Sequence, residues 1–290
     1  MGKPVWTNYH SHTRFCDGTD EPEMYAQAAL EQNVAIYGFS THSPLPFVNA
    51  WSIKKEAVND YVNAVKSVKE AYADRLEVYL SMEVDFVPGL TSVQDPIIVG
   101  LGLDYTIGSV HYVEQFDDGS HFEIDYTHSY FDKGIEEIFR GDVQKAVTRY
   151  YEITRQMLSE AKPDILGHLD KIKMHNKAKL HFQETEGWYR DAVIETLELA
   201  AKTGVVMEVN TRGMYKKLSD EPYPSAWVLK EANRLGIPVM INSDSHHPRE
   251  ITGEFEAAAQ IVLNAGYKEV RIFKEHSLQD KPLTTKGIIL

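Results

Sequence analysis

The segment TLELAAKTGVVMEVNTRG, residues 196–213, contains a helix end, a glycine, an apolar strand and a polar tail in direct succession. Gly204 stands where a helix C-terminal cap belongs, and the β-branched run after it predicts a strand over residues 205–210. Asn210 and Arg212 then lie at the carboxyl end of that strand. This order of helix, strand and polar terminus is typical of one unit of an α/β fold.

The same unit recurs along the chain. Strands are predicted over residues 5–10, 36–41, 77–84, 105–111, 165–168, 205–210 and 239–242. Helices are predicted over residues 23–32, 53–73, 142–160, 189–202, 225–235 and 254–264. Such alternation predicts parallel strands, and seven units in 290 residues favour a closed β/α barrel. An open doubly wound sheet is the alternative, but no Gly-rich dinucleotide fingerprint follows the first strand.

We expect residues 1–290 to form a single domain, since no linker or repeat divides the chain. Residues 114–141 break the alternation and are long for a barrel loop, so we predict a lid-like excursion there. Its acidic residues are candidates for attracting a cationic substrate: Glu114, Asp117 and Asp118.

Composition limits the possible functions. The formal net charge is −13, which disfavours binding to nucleic acid, because that binding requires clustered Lys and Arg. No apolar run has the length of a signal peptide or membrane span, so we expect no membrane partner and a cytoplasmic location. The single cysteine, Cys16, permits neither an intramolecular disulfide nor a Cys-based zinc finger. Oligomeric state is not predicted by any of these features.

Metal-binding residue types follow the predicted strands. In chain order they are His10, His12, Asp17, His42, Glu83, His111, His168, Asp244 and His246. The active site of a β/α barrel is built from the carboxyl ends of its strands, so these side chains should converge on one mouth. Imidazole and carboxylate groups bind Zn, Mn and Fe, and this many ligands suffices for two or three divalent ions. Glu83 lies in an apolar strand, where an unpaired carboxylate would be costly and a bridging position between two ions explains it.

The ordered motifs resemble those of the polymerase and histidinol phosphatase (PHP) family. They are YHSHTRFCDG (9–18), FSTHS (39–43), SMEVDF (81–86), GSVHY (108–112), LGHLDKI (166–172), EVNTRG (208–213) and NSDSHHP (242–248). The resemblance covers nearly the whole chain and is closest to the histidinol-phosphate phosphatase branch, on the Cys16-Asp17-Gly18 step and the NTRG segment. It implies a distorted (β/α)7 barrel with its active site at the carboxyl ends of the strands.

The family also implies a trinuclear centre. Carried over by motif, one ion would bind His10, His12, Glu83 and Asp244; a second would bind Glu83, His111 and His168; a third would bind Asp17, His42 and His246. The resemblance thus implies a phosphomonoester hydrolase that acts on L-histidinol phosphate in histidine biosynthesis. The residues we assign to catalysis are Asp17, Glu83, Asp244, His246 and Arg212.

Substrate contacts are less defined by the sequence. Arg212 is predicted to hold phosphate oxygens with its planar fork, and Arg14 and Lys171 are weaker candidates for the same task. Phe47, Trp51 and Tyr112 are candidates for the organic end of the substrate. His247 is predicted to be structural. The other histidines are predicted to be solvated, with His121 and His128 as alternatives for a substrate contact from the lid: His121, His128, His175, His181 and His276.

Other functions stay open at this point. The same fold could support a nucleotidase, an exonuclease or a phosphotyrosine phosphatase, and a non-catalytic metal-binding module would carry the same ligands. A metal-dependent amidohydrolase also uses an H-x-H pair on its first strand, although that class typically bridges its metals with a lysine. A panel of phosphate esters would separate these alternatives.

Overall fold

The structure is a computed structural model that describes residues 2–290. In chain order the strands are β1 (Trp6–Asn8), β2 (Val34–Phe39), β3 (Glu77–Asp85), β4 (Tyr105–Ser109), β5 (Tyr112–Gln115), β6 (His121–Glu123), β7 (Ile165–Leu166), β8 (Val206–Asn210), β9 (Val239–Asn242), β10 (Glu269–Lys274), β11 (Ser277–Thr284) and β12 (Gly287–Ile288). Seven of them form one parallel sheet in the order β1-β2-β3-β4-β7-β8-β9.

The sheet curves into a nearly closed barrel. Beyond the last residues of β9 and β1, the His12 N–H donates to the Ser245 carbonyl at 2.8 Å, and Ser11 bridges Ser245 in parallel. The side chain of Asn242 accepts a hydrogen bond from the Tyr9 N–H at 2.8 Å. The two edge strands therefore meet, and the predicted seven-stranded barrel is confirmed in place of an open sheet.

Helices connect the strands and cover the barrel. They are α1 (Pro22–Glu31), α2 (Val58–Ala71), α3 (Pro96–Val99), α4 (His128–Phe139), α5 (Val143–Glu160), α6 (Gly187–Thr203), α7 (Arg212–Tyr215), α8 (Ala226–Arg234) and α9 (Phe255–Asn264), with 3-10 segments at Lys55–Ala57, Lys171–Lys179 and Pro248–Glu250. Gly204 caps α6 with φ +74°, as its place before the strand predicts. Helices and strands bury one continuous hydrophobic core. No helix among residues 2–290 has the length and apolar character to cross a membrane.

The residues after α9 form an antiparallel sheet that the strand–helix alternation does not predict. It consists of β10, β11 and β12. The turn after β10 lies against the amino end of β3, where the Glu275 N–H donates to Glu77 Oε1 at 2.6 Å. Ile288 pairs with Val5, just before β1. This small sheet thus covers the end of the barrel opposite the strand termini that carry the candidate site.

The excursion over residues 114–141 contains ordered elements. Strands β5 and β6 pair as an antiparallel hairpin, and α4 follows, capped by Thr127 Oγ1, which accepts from the Tyr130 N–H at 3.2 Å. Phe122 of β6 is fully buried against Phe131 of α4, with ring centroids 5.9 Å apart. The hairpin and α4 therefore pack together beside the barrel mouth. Their function as a lid stays a prediction.

Candidate metal centre

All nine predicted ligands lie together at the carboxyl end of the barrel. Eight of them lie in loops beyond the strand ends, because most strands end earlier than the sequence predicts. His10 and His12 follow β1, His42 follows β2, and His111 follows β4. Glu83 alone lies within a strand. Residues far apart in sequence therefore share one buried rim.

Glu83 lies at the centre of this rim. Its side chain is 1% exposed. Oε1 is 2.9 Å from His168 Nε2 and accepts a hydrogen bond from Ser109 Oγ at 2.6 Å. Oε2 is 3.1 Å from His10 Nε2 and 3.0 Å from His42 Nδ1. One carboxylate thus faces two separate sets of imidazoles, which is the position of a bridging ligand.

The first set surrounds Glu83 Oε2. His12 Nε2 is 3.5 Å from that oxygen and 3.1 Å from Asp244 Oδ1. His10 Nε2 is 3.8 Å from the same Asp244 oxygen. Asp244 adopts φ 52°, a left-handed conformation that is uncommon for a residue with a side chain and is often found at functional sites.

The second set lies on the Oε1 side. His111 Nε2 is only 3.2 Å from His168 Nε2 and 3.8 Å from Glu83 Oε1. Two ring nitrogens aimed at one point are explained by an ion between them, with Lys171 Nζ 3.5 Å from His111 Nε2 on the outer side.

The third set lies nearest to solvent. Asp17 Oδ2 is 3.1 Å from His246 Nε2, and Asp17 Oδ1 is 3.8 Å from His42 Nε2. His12 is also within reach, since one ligand atom each from His12, Asp17, His42 and His246 lies within 4.8 Å of the others. Asp17 is brought here by the turn at Gly18, where any Cβ would lie 2.5 Å from the His12 backbone.

The carboxylates and imidazoles of the rim shift one another's pKa values. Burial would raise the pKa of Glu83, but the imidazoles of His10 and His42 hold it well below its usual value. Burial opposes protonation of His10, yet the surrounding carboxylates raise its pKa well above the usual value. Burial lowers the pKa of His246 to about 4, so its imidazole is neutral and can donate a lone pair.

The donor set fits divalent transition metals. His10 Nε2, His12 Nε2 and His42 Nδ1 are buried next to carboxylate oxygens but are in no hydrogen-bond geometry with any partner. Buried polar atoms are normally satisfied, so such nitrogens call for an explanation. An ion between imidazole and carboxylate supplies one for all three.

A cavity of about 620 Å³ opens above the rim. Its wall contains members of the ligand set and several further side chains: Trp51, Glu123, Asp125, Tyr126, His128, Lys171, His175, Asn210, Arg212 and Tyr223. Two cationic groups, Lys171 and Arg212, therefore lie beside the candidate ligands. Of the two acidic groups on the wall, Asp125 is 2.8 Å from Lys171 Nζ.

Comparison with known proteins assigns this arrangement to a family. The model of the PHP domain family matches residues 8–212, a stretch that runs from β1 to the end of β8. The chain belongs to the PHP family.

Relatives of this PHP chain span its length. A Deinococcus radiodurans protein named "Probable histidinol-phosphatase" is 28% identical over 93% of this chain and 97% of its own. The histidinol-phosphatase of Bacillus subtilis is 26% identical over 86% of this chain and 96% of its own.

Solved structures share the PHP barrel. The HisK protein of Listeria monocytogenes has a TM-score of 0.78 at 24% identity, covering 87% of this chain and 99% of its own. The histidinol phosphate phosphatase of Lactococcus lactis, complexed with zinc, L-histidinol and phosphate, has a TM-score of 0.65 at 17% identity and covers 98% of this chain and 99% of its own. These likenesses support the barrel fold.

Two residues of the PHP site were missed by sequence reasoning. Glu208 is fully buried in β8; its Oε1 is 2.7 Å from His10 Nδ1, and its Oε2 accepts the His168 N–H at 2.9 Å. Asp85 lies 2.8 Å from His111 Nδ1. Both carboxylates orient imidazoles and fix which nitrogen faces the rim. An acidic residue within an apolar strand, the signal that identified Glu83, also marks Glu208.

Two predicted substrate contacts, Arg14 and Tyr112, lie outside the cavity. Arg14 is half exposed, pairs with Glu21 outside the cavity and stacks over Phe15. Tyr112 is buried behind Trp51, whose ring is parallel to it at 5.8 Å, so only Trp51 reaches the wall. Arg14 does not reach the cavity because its side chain turns outwards along the surface.

The acidic residues predicted to attract the substrate, Glu114, Asp117 and Asp118, do not line the cavity. Glu114 pairs with Arg149 at 2.7 Å and lies outside the cavity. Asp118 accepts hydrogen bonds from Ser120 in the hairpin turn. Glu123 and Asp125, which follow that turn, reach the cavity instead. The register of the hairpin decides which carboxylates of this excursion face the cavity.

Proposed function

We propose that this PHP chain hydrolyses L-histidinol phosphate to L-histidinol and phosphate with two or three bound divalent ions. The observation that supports this most is the set of unpartnered imidazole nitrogens around Glu83. Relatives named as histidinol-phosphatases over nearly their full length support the substrate. So does the related Lactococcus lactis enzyme, whose structure holds zinc, L-histidinol and phosphate.

The rim offers three ligand groups for these ions. His10, His12, Glu83 and Asp244 would hold one, Glu83, His111 and His168 a second, and Asp17, His42 and His246 a third. Such ions lower the pKa of water and offset phosphate charge. The donor chemistry suits Zn, Mn or Fe.

Cationic side chains bracket the place where phosphate would lie. Arg212 NH1 donates to the Asp244 carbonyl at 3.0 Å and lies 2.7 Å from His246 Nδ1, next to the third ligand group. Lys171 lies next to the second group, 3.5 Å from His111 Nε2. Both line the cavity, and burial does not neutralise them, because nearby carboxylates raise the pKa of each. Together they would hold phosphate oxygens and stabilise the charge that develops on them.

The part of the wall around Trp51 suits the organic end of L-histidinol phosphate. Glu123 lines the cavity together with Trp51, whereas Asp125, which also lines it, is paired with Lys171 at 2.8 Å. Carboxylates attract the ammonium and the protonatable imidazole of this substrate, and an aromatic face packs against an imidazole or a cation. A nucleoside monophosphate has no ammonium group for a carboxylate to attract. The wall therefore favours a cationic phosphomonoester.

Hydrolysis forms a bond from a water oxygen to phosphorus and breaks the bond from phosphorus to the ester oxygen. The leaving alkoxide takes up one proton and becomes the alcohol. Asp17, Asp244 and His246 all border the cavity and are the candidates for assisting that transfer. The chain thus has residues for each part of the reaction: binding phosphate, binding the cation and moving a proton.

A substrate panel tests this proposal. Purified protein is analysed for bound metals, and phosphate release is measured from L-histidinol phosphate, a nucleoside monophosphate and a phosphotyrosine peptide. We expect at least two ions per chain and the highest kcat/KM with L-histidinol phosphate. A higher kcat/KM with either other ester would contradict the substrate, and metals without any turnover would indicate a non-catalytic module.

A further inference from the structure

A second group of ligand-type side chains lies outside the catalytic rim. His128 and Asp132 are one turn apart on α4, with His128 Nε2 3.5 Å from Asp132 Oδ2. His181, from the segment that follows the 3-10 turns, has its Nε2 3.5 Å from Asp132 Oδ1. One ligand atom from each of the three lies within 4.8 Å of the others.

The local backbone turns His181 towards α4. Ala178 and Lys179 have φ values of 61° and 59°, two consecutive left-handed conformations that are uncommon for residues with side chains. They reverse the chain just before His181. The reversal places one imidazole opposite two ligand-type groups on a separate element.

The surroundings of these three residues leave them free for an ion. Within residues 2–290, no Lys or Arg side chain forms an ion pair with Asp132. His181 Nε2 is buried and makes no hydrogen bond in the described structure, and the same holds for Nε2 of the neighbouring His175. Burial lowers the pKa of His181, so its imidazole is neutral at pH 7. A neutral imidazole facing a carboxylate and a second imidazole is a metal ligand set.

We propose that His128, Asp132 and His181 bind one divalent transition ion of the zinc class, separate from the catalytic ions. The ion joins α4 to the segment that follows the 3-10 turns. Asp132 and His181 lie outside the cavity, whereas His128 also lines its wall, so the site adjoins the proposed substrate cavity without sharing a catalytic ligand.

Occupancy of this site would fix part of the cavity wall. Asp125 and Tyr126 line the cavity and immediately precede Thr127, the cap of α4. His175, also on the wall, precedes His181 on the other element. An ion between the two elements therefore restrains the two sides of the mouth relative to each other.

Metal counting and hydrogen exchange test the proposal. The wild type and the variants His181→Ala and Asp132→Asn are dialysed against the same zinc-buffered solution, and bound zinc is measured by elemental analysis. His276→Ala, which removes a surface histidine near the opposite end of the barrel, is the matched control. We expect each of the two variants to lose one ion per chain, and the control to lose none.

Phosphatase activity and exchange complete the test. We expect His181→Ala to keep its activity, and zinc to slow amide exchange in α4 of the wild type but not in this variant. Equal zinc content in all four proteins would overturn the proposal. So would unchanged exchange in α4 on adding zinc to the wild type. Asp132→Asn keeps the zinc count decisive if His181→Ala fails to fold.

Discussion

The two ends of the barrel differ in whether their buried polar groups have hydrogen-bond partners. At the amino end, the Tyr9 hydroxyl donates to the Phe273 carbonyl at 2.9 Å and accepts the Phe273 N–H at 3.0 Å. At the carboxyl end, His10 Nε2, His12 Nε2 and His42 Nδ1 are also buried but make no hydrogen bond. Hydrogen bonds within the chain therefore satisfy the Tyr9 hydroxyl at the amino end, whereas the three nitrogens at the carboxyl end are left available as ligands for the proposed ions.

The largest expected effect is at the centre of the carboxyl end. Glu83→Ala removes the carboxylate that faces both His10 and His168. We expect kcat to fall on the order of 10³-fold or more, because two ions lose their common ligand. Steady-state phosphate release and elemental analysis check this. A near wild-type rate would show that Glu83 does not bridge.

The next largest effect is expected at Glu208, which orients a predicted metal ligand, His10. Glu208→Gln keeps the size of the side chain but removes the charge that faces His10 Nδ1. We expect metal affinity or activity to fall about 10–100-fold, as for other groups that orient ligands. Chelator competition measures the affinity, and added metal should restore part of the rate. Unchanged metal affinity and unchanged rate would limit Glu208 to packing.

Phosphate binding should be affected separately from metal binding. Arg212→Lys replaces the planar fork with a single ammonium, and we expect KM to rise by about 10-fold with metal content unchanged. Kinetics with parallel elemental analysis check this expectation. An unchanged KM would exclude Arg212 from holding phosphate.

Substrate affinity should depend on pH through Glu123. Burial, together with Asp125, raises the pKa of Glu123 to about 7. Below that pH the carboxyl group is protonated and no longer attracts a cation, so KM should rise as pH falls. We expect Glu123→Gln to raise KM about 5-fold at pH 8 and to weaken this pH dependence, since a partly exposed ion pair contributes about 1 kcal/mol. Measuring KM across pH for the wild type and Glu123→Gln tests this prediction. Parallel pH profiles would show that Glu123 does not bind the substrate cation.

The smallest effect on activity is expected at the amino end. Tyr9→Phe removes the hydroxyl that bonds Phe273, so we expect the free energy of unfolding to fall by about 1 kcal/mol. Because this end holds no candidate ligand, kcat should not change. Urea unfolding and kinetics test the two statements. A large loss of kcat would show that the two ends are coupled.

Much of the fold and site can be predicted from sequence because their signals are local. The order of helix, glycine and strand around Gly204 predicts the repeating unit of the barrel. The polar residues after each strand predict the set of side chains that meet at its carboxyl end. The direction of a side chain depends on hairpin register and on packing partners, which the sequence does not show. For that reason three residues predicted to contact the substrate lie outside the cavity: Arg14, Tyr112 and Glu114. The sheet formed by β10–β12 escaped prediction because it pairs with itself outside the strand–helix alternation.

Anomalous X-ray diffraction from crystals of metal-loaded protein tests the central claim most directly. We predict anomalous peaks on both sides of Glu83, about 2.0–2.3 Å from the imidazole nitrogens and carboxylate oxygens that face it. One peak should lie near His10 and Asp244, and another between His111 and His168. Crystals that bind metal elsewhere but show no peak around Glu83 would contradict the account.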